Sequence, residues 1–257
     1  MQISKYSAAM KSIIGTRDEQ QDFACLRLDD KKVFAVVCDG MGGHQNGGLA
    51  SFTASETLLE LYERKDPLEP YSVFFQNVVH VLDENVYGLK NDRGKKLGAG
   101  TTLVAAAVEG DELTWLSVGD SRLYILRKNE CVQVTRDHNY LLELERLKQE
   151  KKISESKYEK ELSKGESLIS FVGMGGISIH DINLKPFVLS PQDTLLLSTD
   201  GLHGTLTKDE ILLCLNQSDA QEAARELLDK VESKENKYQD NTTFIVIKYE
   251  GSSNEAH

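Results

Sequence analysis

Two apolar runs in this chain end alike. "FAVVCDG" (34–40) and "TLLLSTDG" (194–201) each carry strand-forming residues straight into Asp-Gly. Such a run, bounded by turn formers, reads as a buried strand that leaves its sheet sharply. Three more aspartates keep similar company. Asp22 stands just before "FACL", Asp120 just after "LTWLSVG", and Asp240 just before "NTTFIVI". A single Asp-Gly is an ordinary turn. Five aspartates at strand ends, spread over the whole chain, are what a composite site drawn from several strands requires.

The intervening pattern predicts both element types. Strands are expected over Lys32–Asp39, Thr101–Val108, Leu113–Val118, Arg122–Leu126, Cys131–Thr135, Pro186–Leu189, Thr194–Ser198 and Thr243–Tyr249. The turns 109–112 and 127–130 mark two hairpins, and "SPQD" separates a further strand pair. Helices are expected over Gly48–Lys65 and Tyr71–Leu89, the second with apolar residues near the 3.6 period. Capping-box patterns at Thr207 and Ser218 announce two more. Hairpin-linked strands with separate helix pairs imply an α+β fold in which helices cover antiparallel sheets. With 257 residues, one domain over 1–250 with a disordered tail over 251–257 is the expectation. The segment 139–166 is dense in Lys, Glu and Ser. It reads as a solvated helix pair or as a mobile flap beside a site.

Composition narrows the function. Lys and Arg number 30 against 41 Asp and Glu, a formal net charge of −11. An acidic surface is repelled by nucleic-acid phosphates and by anionic lipid, so neither is an expected partner. No apolar run reaches the length of a membrane span, and the N-terminus lacks a signal-peptide core. The four cysteines (Cys25, Cys38, Cys131 and Cys214) are scattered and mostly sit among apolar residues. Buried free thiols in a reducing cytoplasm are expected.

Clustered carboxylates repel each other unless a cation neutralises them. Hard divalent ions prefer such oxygen ligands, and neither the six histidines nor the cysteines show zinc spacing. Magnesium or manganese fits. The glycines after Asp39 and Asp200 let a backbone carbonyl turn toward an ion. Arg17, close to Asp22, offers a planar fork suited to a phosphate.

In order along the chain stand "GTRDEQQDF" (15–23), "VVCDGMGGHQNGGLAS" (36–51), "GAGTTLVAA" (98–106), "LSVGDSRLYILR" (116–127), "VTRDHNYL" (134–141), "LLLSTDGLHGTLT" (195–207) and "QDNTTFIVI" (239–247). These blocks resemble the metal-dependent Ser/Thr protein phosphatases of the type 2C (PPM) family, in their bacterial form. The resemblance implies a four-layer αββα sandwich with two Mn²⁺ or Mg²⁺ ions at one edge. Asp39 then matches the carboxylate bridging both ions and Gly40 the carbonyl ligand. Asp200 and Asp240 match ligands of the first ion, and Asp22 an acid near the second, acting through water. Asp120 matches a ligand of a third, weaker site. Arg17 matches the phosphate-binding arginine, and 139–166 falls where the family carries its flap.

The resemblance further implies hydrolysis of phosphoserine and phosphothreonine in proteins by one in-line attack of an activated water, without a phosphoenzyme. It implies a monomer whose partners are phosphoproteins and an opposing Ser/Thr kinase. Three departures are visible. Gln21 replaces a Glu ligand of some relatives, Met41 replaces a histidine proposed elsewhere as general acid, and "ISFVGMGG" (169–176) replaces a Thr-Arg-Ala-Leu-Gly type block. His44 reads as the start of the next helix rather than as that acid. Two other readings stand beside this one: a catalytically weak regulatory module that binds phosphoproteins, and a phosphatase of small phosphate esters.

Overall fold

The fold grows from strands buried on both faces. The computed structural model describes residues 5–43 and 46–251. The first third comprises β1 (Tyr6–Ile13), β2 (Asp22–Leu28), β3 (Lys32–Met41), α1 (Asn46–Glu63) and α2 (Tyr71–Tyr87). A meander follows: β4 (Gly100–Thr101), β5 (Leu103–Glu109), β6 (Glu112–Val118), β7 (Arg122–Arg127) and β8 (Glu130–Gln133). Next come α3 (Tyr140–Gln149), α4 (Glu155–Glu161), β9 (Asp181–Ile182), β10 (Phe187–Val188) and β11 (Thr194–Ser198). The chain closes with α5 (Asp200–His203), α6 (Lys208–Leu215), α7 (Ala220–Glu232) and β12 (Thr242–Tyr249).

Two antiparallel sheets result. One has the order β1-β12-β11-β7-β8, and the other β10-β6-β5-β3-β2 with β4 on β3 and β9 on β6. Alternation along β3 explains its unbroken apolar run. Val33, Ala35 and Val37 enter the core between the sheets, while Phe34, Val36 and Cys38 pack with Leu58, Phe75 and Leu82 of α1 and α2. On the other side, Phe244 and Val246 of β12 pack with Leu215 and Leu227 of α6 and α7, while Ile245 and Ile247 face the central core. The order is therefore helix, sheet, sheet, helix, an α+β four-layer sandwich as expected. Among the described residues, no helix is long and apolar enough to cross a membrane. All four cysteines are free and buried.

Details differ from expectation. Strand β1 was not foreseen: its burial alternates irregularly, because it is the edge of its sheet and pairs only with β12. The expected partnership across "SPQD" does not form. Phe187–Val188 pairs with β6 in one sheet, while β11 enters the other between β12 and β7. Asp193 anchors this crossing: it is 1% exposed and accepts from both Nε and Nη2 of Arg127. The capping box at Thr207 forms with Glu210. At the next helix the cap is Asp219 rather than Ser218, since the Asp219 carboxylate accepts from the Glu222 N–H. Segment 139–166 holds α3, α4 and a 3-10 turn at Leu162–Lys164. Its two ends meet where Asn139 bridges Leu168 and the Tyr140 N–H donates to the Ser167 carbonyl. Of the tail, only Gly251 lies within the described residues.

One buried acid ties the helical layer to the strand ends. Asp83 sits on the apolar face of α2 at 2% exposure. Its carboxylate accepts from the N–H groups of Gly173 (2.7 Å), Gly175 (3.2 Å) and Gly176 (2.6 Å). The loop so held presents Val172, which exchanges backbone hydrogen bonds with Thr101 of β4. Thr101 in turn is the register partner of Gly40. Replacing Asp83 with Ala leaves three N–H groups without their ionic acceptor. A loss of about 2–4 kcal/mol is expected in urea denaturation, with Asp83→Asn losing less.

Candidate metal centre

The strand ends converge. Antiparallel register sets Asp22 of β2 directly opposite Asp39 of β3. Asp39 is fixed through its backbone: its N–H donates to Thr102 Oγ1 at 3.0 Å, and its carbonyl accepts from the Thr102 N–H and the Thr101 hydroxyl, both at 2.8 Å. Asp200 opens α5 immediately beyond β11, and Asp240 precedes β12. Neighbouring strands thus deliver these acids to one end of the sandwich. Asp120 lies at the turn after β6, close enough for its charge and that of Asp200 to act on each other.

A cleft of about 490 Å³ opens there. Arg17, Gln21, Asp39, Gly40, Met41 and Asp240 are among the residues lining it. Asp22, Asp120 and Asp200 do not line it but stand behind or beside Asp39. The Arg17 guanidinium reaches Asp240 at 2.5 Å across an exposed pair. The Thr199 hydroxyl donates to Asp22 Oδ2 at 2.9 Å. Asp39 and Asp200 stand close enough for each carboxyl to act on the titration of the other.

These carboxyls hold protons tightly. Burial, followed by repulsion from Asp22, Asp200 and Asp120, raises Asp39 well above the usual carboxylate range. Burial, with Asp200 and Asp240 nearby, pushes Asp22 up to about 7 despite the Thr199 hydroxyl. Burial and then Asp200 push Asp120 up to about 7. Burial and then Asp240 raise Asp200.

The donor set fits hard divalent ions. Asp22 Oδ1 and Asp200 Oδ1 are buried without a hydrogen-bond partner. Such oxygens are costly unless a cation takes them up. Gly40 also lines the cleft, in unusually close packing with Gly47. A Cβ on Gly40 would stand 2.0 Å from the Gly47 carbonyl, and one on Gly47 would stand 2.7 Å from the Gly40 carbonyl. Only two glycines permit this approach. Among the described residues no three His, Cys, Asp or Glu side chains already surround one point as a closed cage. Asp240 is engaged by Arg17 and Asp22 by Thr199.

Sequence reasoning did not identify Gly47, Thr101, Thr102, Thr199 or Asp83 as supports. Asp83 was discoverable, being an acid on the otherwise apolar face that includes Phe75, Val79, Leu82 and Val86. His44 lies outside the described residues.

Stability should depend on pH through this cluster. In the unfolded chain an aspartate titrates near ~4. Asp22 and Asp120 bind their protons more tightly when folded, up to about 7. The stability they contribute is complete below the unfolded value and is lost as pH rises toward 7. Metal-free protein should therefore melt roughly 5–10 °C lower at pH 8 than at pH 5, and saturating Mn²⁺ should remove most of that slope. Asp39→Asn should raise the melting temperature of the metal-free protein and abolish the Mn²⁺ response. Calorimetry across pH, with chelator or with Mn²⁺, checks both.

Known proteins resemble this chain. The protein phosphatase 2C family model matches residues 11–244. The serine/threonine phosphatase stp of Listeria innocua is 29% identical over 223 residues, 85% of each chain. A solved S. agalactiae serine/threonine phosphatase aligns at TM-score 0.79 and 24% identity, over 94% of this chain and 98% of its own. The catalytic domain of the serine threonine protein phosphatase PstP, solved with two manganese ions, aligns at TM-score 0.73 and 24% identity, over 95% and 97%. With a match spanning most of its length, the chain belongs to the protein phosphatase 2C family, the metal-dependent serine/threonine protein phosphatases.

Proposed function

We propose that this chain hydrolyses phosphoserine and phosphothreonine in proteins by a single displacement, with water as the nucleophile. The observation that carries this is one cleft lined by a phosphate-suited arginine, Arg17, and by carboxylates whose neighbours include orphaned buried oxygens. Asp39, the Gly40 carbonyl, Asp200 and Asp240 would hold two divalent ions, Asp22 would act through water, and Asp120 would serve a third, weaker site. Ions so held supply Lewis-acid charge to the phosphoryl group and to the attacking water.

The chain's own residues do the remaining work. Arg17 is bound to Asp240 only by an exposed ion pair, which contributes little and exchanges readily. Its fork can turn to two phosphoryl oxygens and orient the ester. The Thr101 and Thr102 hydrogen bonds keep Asp39 in place while charge moves past it. No cysteine competes as nucleophile. Cys38, next to Asp39, is fully buried, and burial holds its thiol well above the ordinary range. Free buried thiols suit a cytoplasmic enzyme, with phosphoproteins and an opposing kinase as partners.

Hydrolysis of phosphopeptides and of p-nitrophenyl phosphate with Mn²⁺ tests this. Chelator should abolish turnover. Arg17→Ala should lower kcat/KM about 100-fold, with Arg17→Lys recovering little because one ammonium cannot replace a bidentate fork. Inversion of configuration at a chiral phosphorothioate is expected for single displacement. Retention, or radiolabel trapped on the protein, would reject it. Phosphopeptide binding with no turnover in Mn²⁺ would instead favour the regulatory module.

A further inference from the structure

A second cleft, also about 490 Å³, adjoins the catalytic one. Ile13, Ile14 and Val231 give it apolar walls, Glu232 and Glu235 acidic ones, and Gln239 divides it from Asp240. Consecutive residues line the two clefts, Thr16 beside Arg17 and Gln239 beside Asp240. Gly15, at φ +64°, packs so closely on the 239–240 backbone that a Cβ there would stand 2.5 Å from both the Gln239 and Asp240 carbonyls. The Thr16 N–H donates to the Gln239 carbonyl at 2.9 Å. Gln239 itself is locked: its Nε2 donates to the Gly201 carbonyl and Thr242 Oγ1, and its Oε1 accepts from the Thr205 hydroxyl. The dividing wall is thus rigid. Ile14 is nevertheless 43% exposed at its edge.

We propose that this cleft is a substrate subsite, taking an apolar side chain of the phosphoprotein segment whose phosphoryl group lies at Arg17, with a basic residue beside it. The proposal rests on the phosphatase reading given above. Three observations select this occupant. The cleft lies just across the Gln239 wall from the catalytic one, so a segment bound at Arg17 can reach it. Its apolar surface rewards burial of a leucine-sized side chain. Among the described residues lining both clefts, Arg17 is the only cation, while Asp18, Glu19, Glu232 and Glu235 are anionic. A flanking lysine or arginine is attracted and a flanking acid repelled. One residue, Thr16, separates Gly15 from Arg17, so the two lie at most about 7 Å apart along the chain. The recognised side chain therefore lies within two or three residues of the phosphorylated one.

Phosphothreonine peptides carrying Leu-Lys or Ser-Glu, on each side in turn, test this with the Mn²⁺-loaded protein. Leu-Lys on one side should raise kcat/KM at least about tenfold over Ser-Glu, the scale expected of an apolar pocket. Ile14→Asp should erase that preference, and Glu232→Lys with Glu235→Lys should shift it from Lys toward Glu. Turnover of p-nitrophenyl phosphate should be unchanged in each. Leu213→Asp, on an exposed residue of α6, serves as the remote control. Absence of a preference in the wild type, or equal behaviour of Ile14→Asp and Leu213→Asp, overturns the subsite. Binding of non-hydrolysable phosphonate peptides, read by fluorescence anisotropy, separates the two claims. Ile14-dependent binding without turnover of any substrate keeps the subsite and removes the catalytic reading. Turnover without Ile14 dependence does the reverse.

Discussion

Like charges placed opposite each other on adjacent strands repel, and the Asp22–Asp39 register pair places them so where water is largely excluded. Nearly everything around the site answers that repulsion. Asp39 is held through its backbone by Thr101 and Thr102, Thr199 donates to Asp22, and Arg17 covers Asp240. None of these removes the excess negative charge. They hold it in a metastable arrangement that a pair of hard cations relieves better than any side chain present. Instability at the strand ends is thus the counterpart of affinity for ions.

The support behind the carboxylates is unusually rigid because it is built from backbone. Asp39 is gripped at its N–H and carbonyl by Thr101 and Thr102, and Thr101 is gripped by Val172. Val172 belongs to the loop that the Asp83 carboxylate fastens to α2. The helical layer therefore reaches the metal end through one buried charge and two short bridges. The departure "ISFVGMGG" gains a physical role here: its glycines present the N–H groups that Asp83 takes.

Legibility in the sequence followed how local each cause was. Strands such as β3 and β12 were readable because burial on both faces leaves an unbroken apolar run. The acids were readable because each sits where such a run begins or stops. Strand β1 was not, since an edge strand with one partner needs no clean alternation. The sheet exchange between β10 and β11 was hidden because "SPQD" reads equally well as a hairpin turn. What decides it is a tertiary contact, the Arg127–Asp193 pair. The Gly40–Gly47 approach, too, is a fact of packing that spacing alone does not show.

The pairing of β1 with β12 joins the two extremes of the described fold, with Tyr6 opposite Tyr249 and Ile13 opposite Thr242. The same closure brings Arg17 to Asp240. Contacts of such long sequence separation form late, after the entropy of a very large loop has been lost. Neither end of the described fold can therefore hold this corner alone: removing β12 would leave β1 without its partner strand and Arg17 without Asp240.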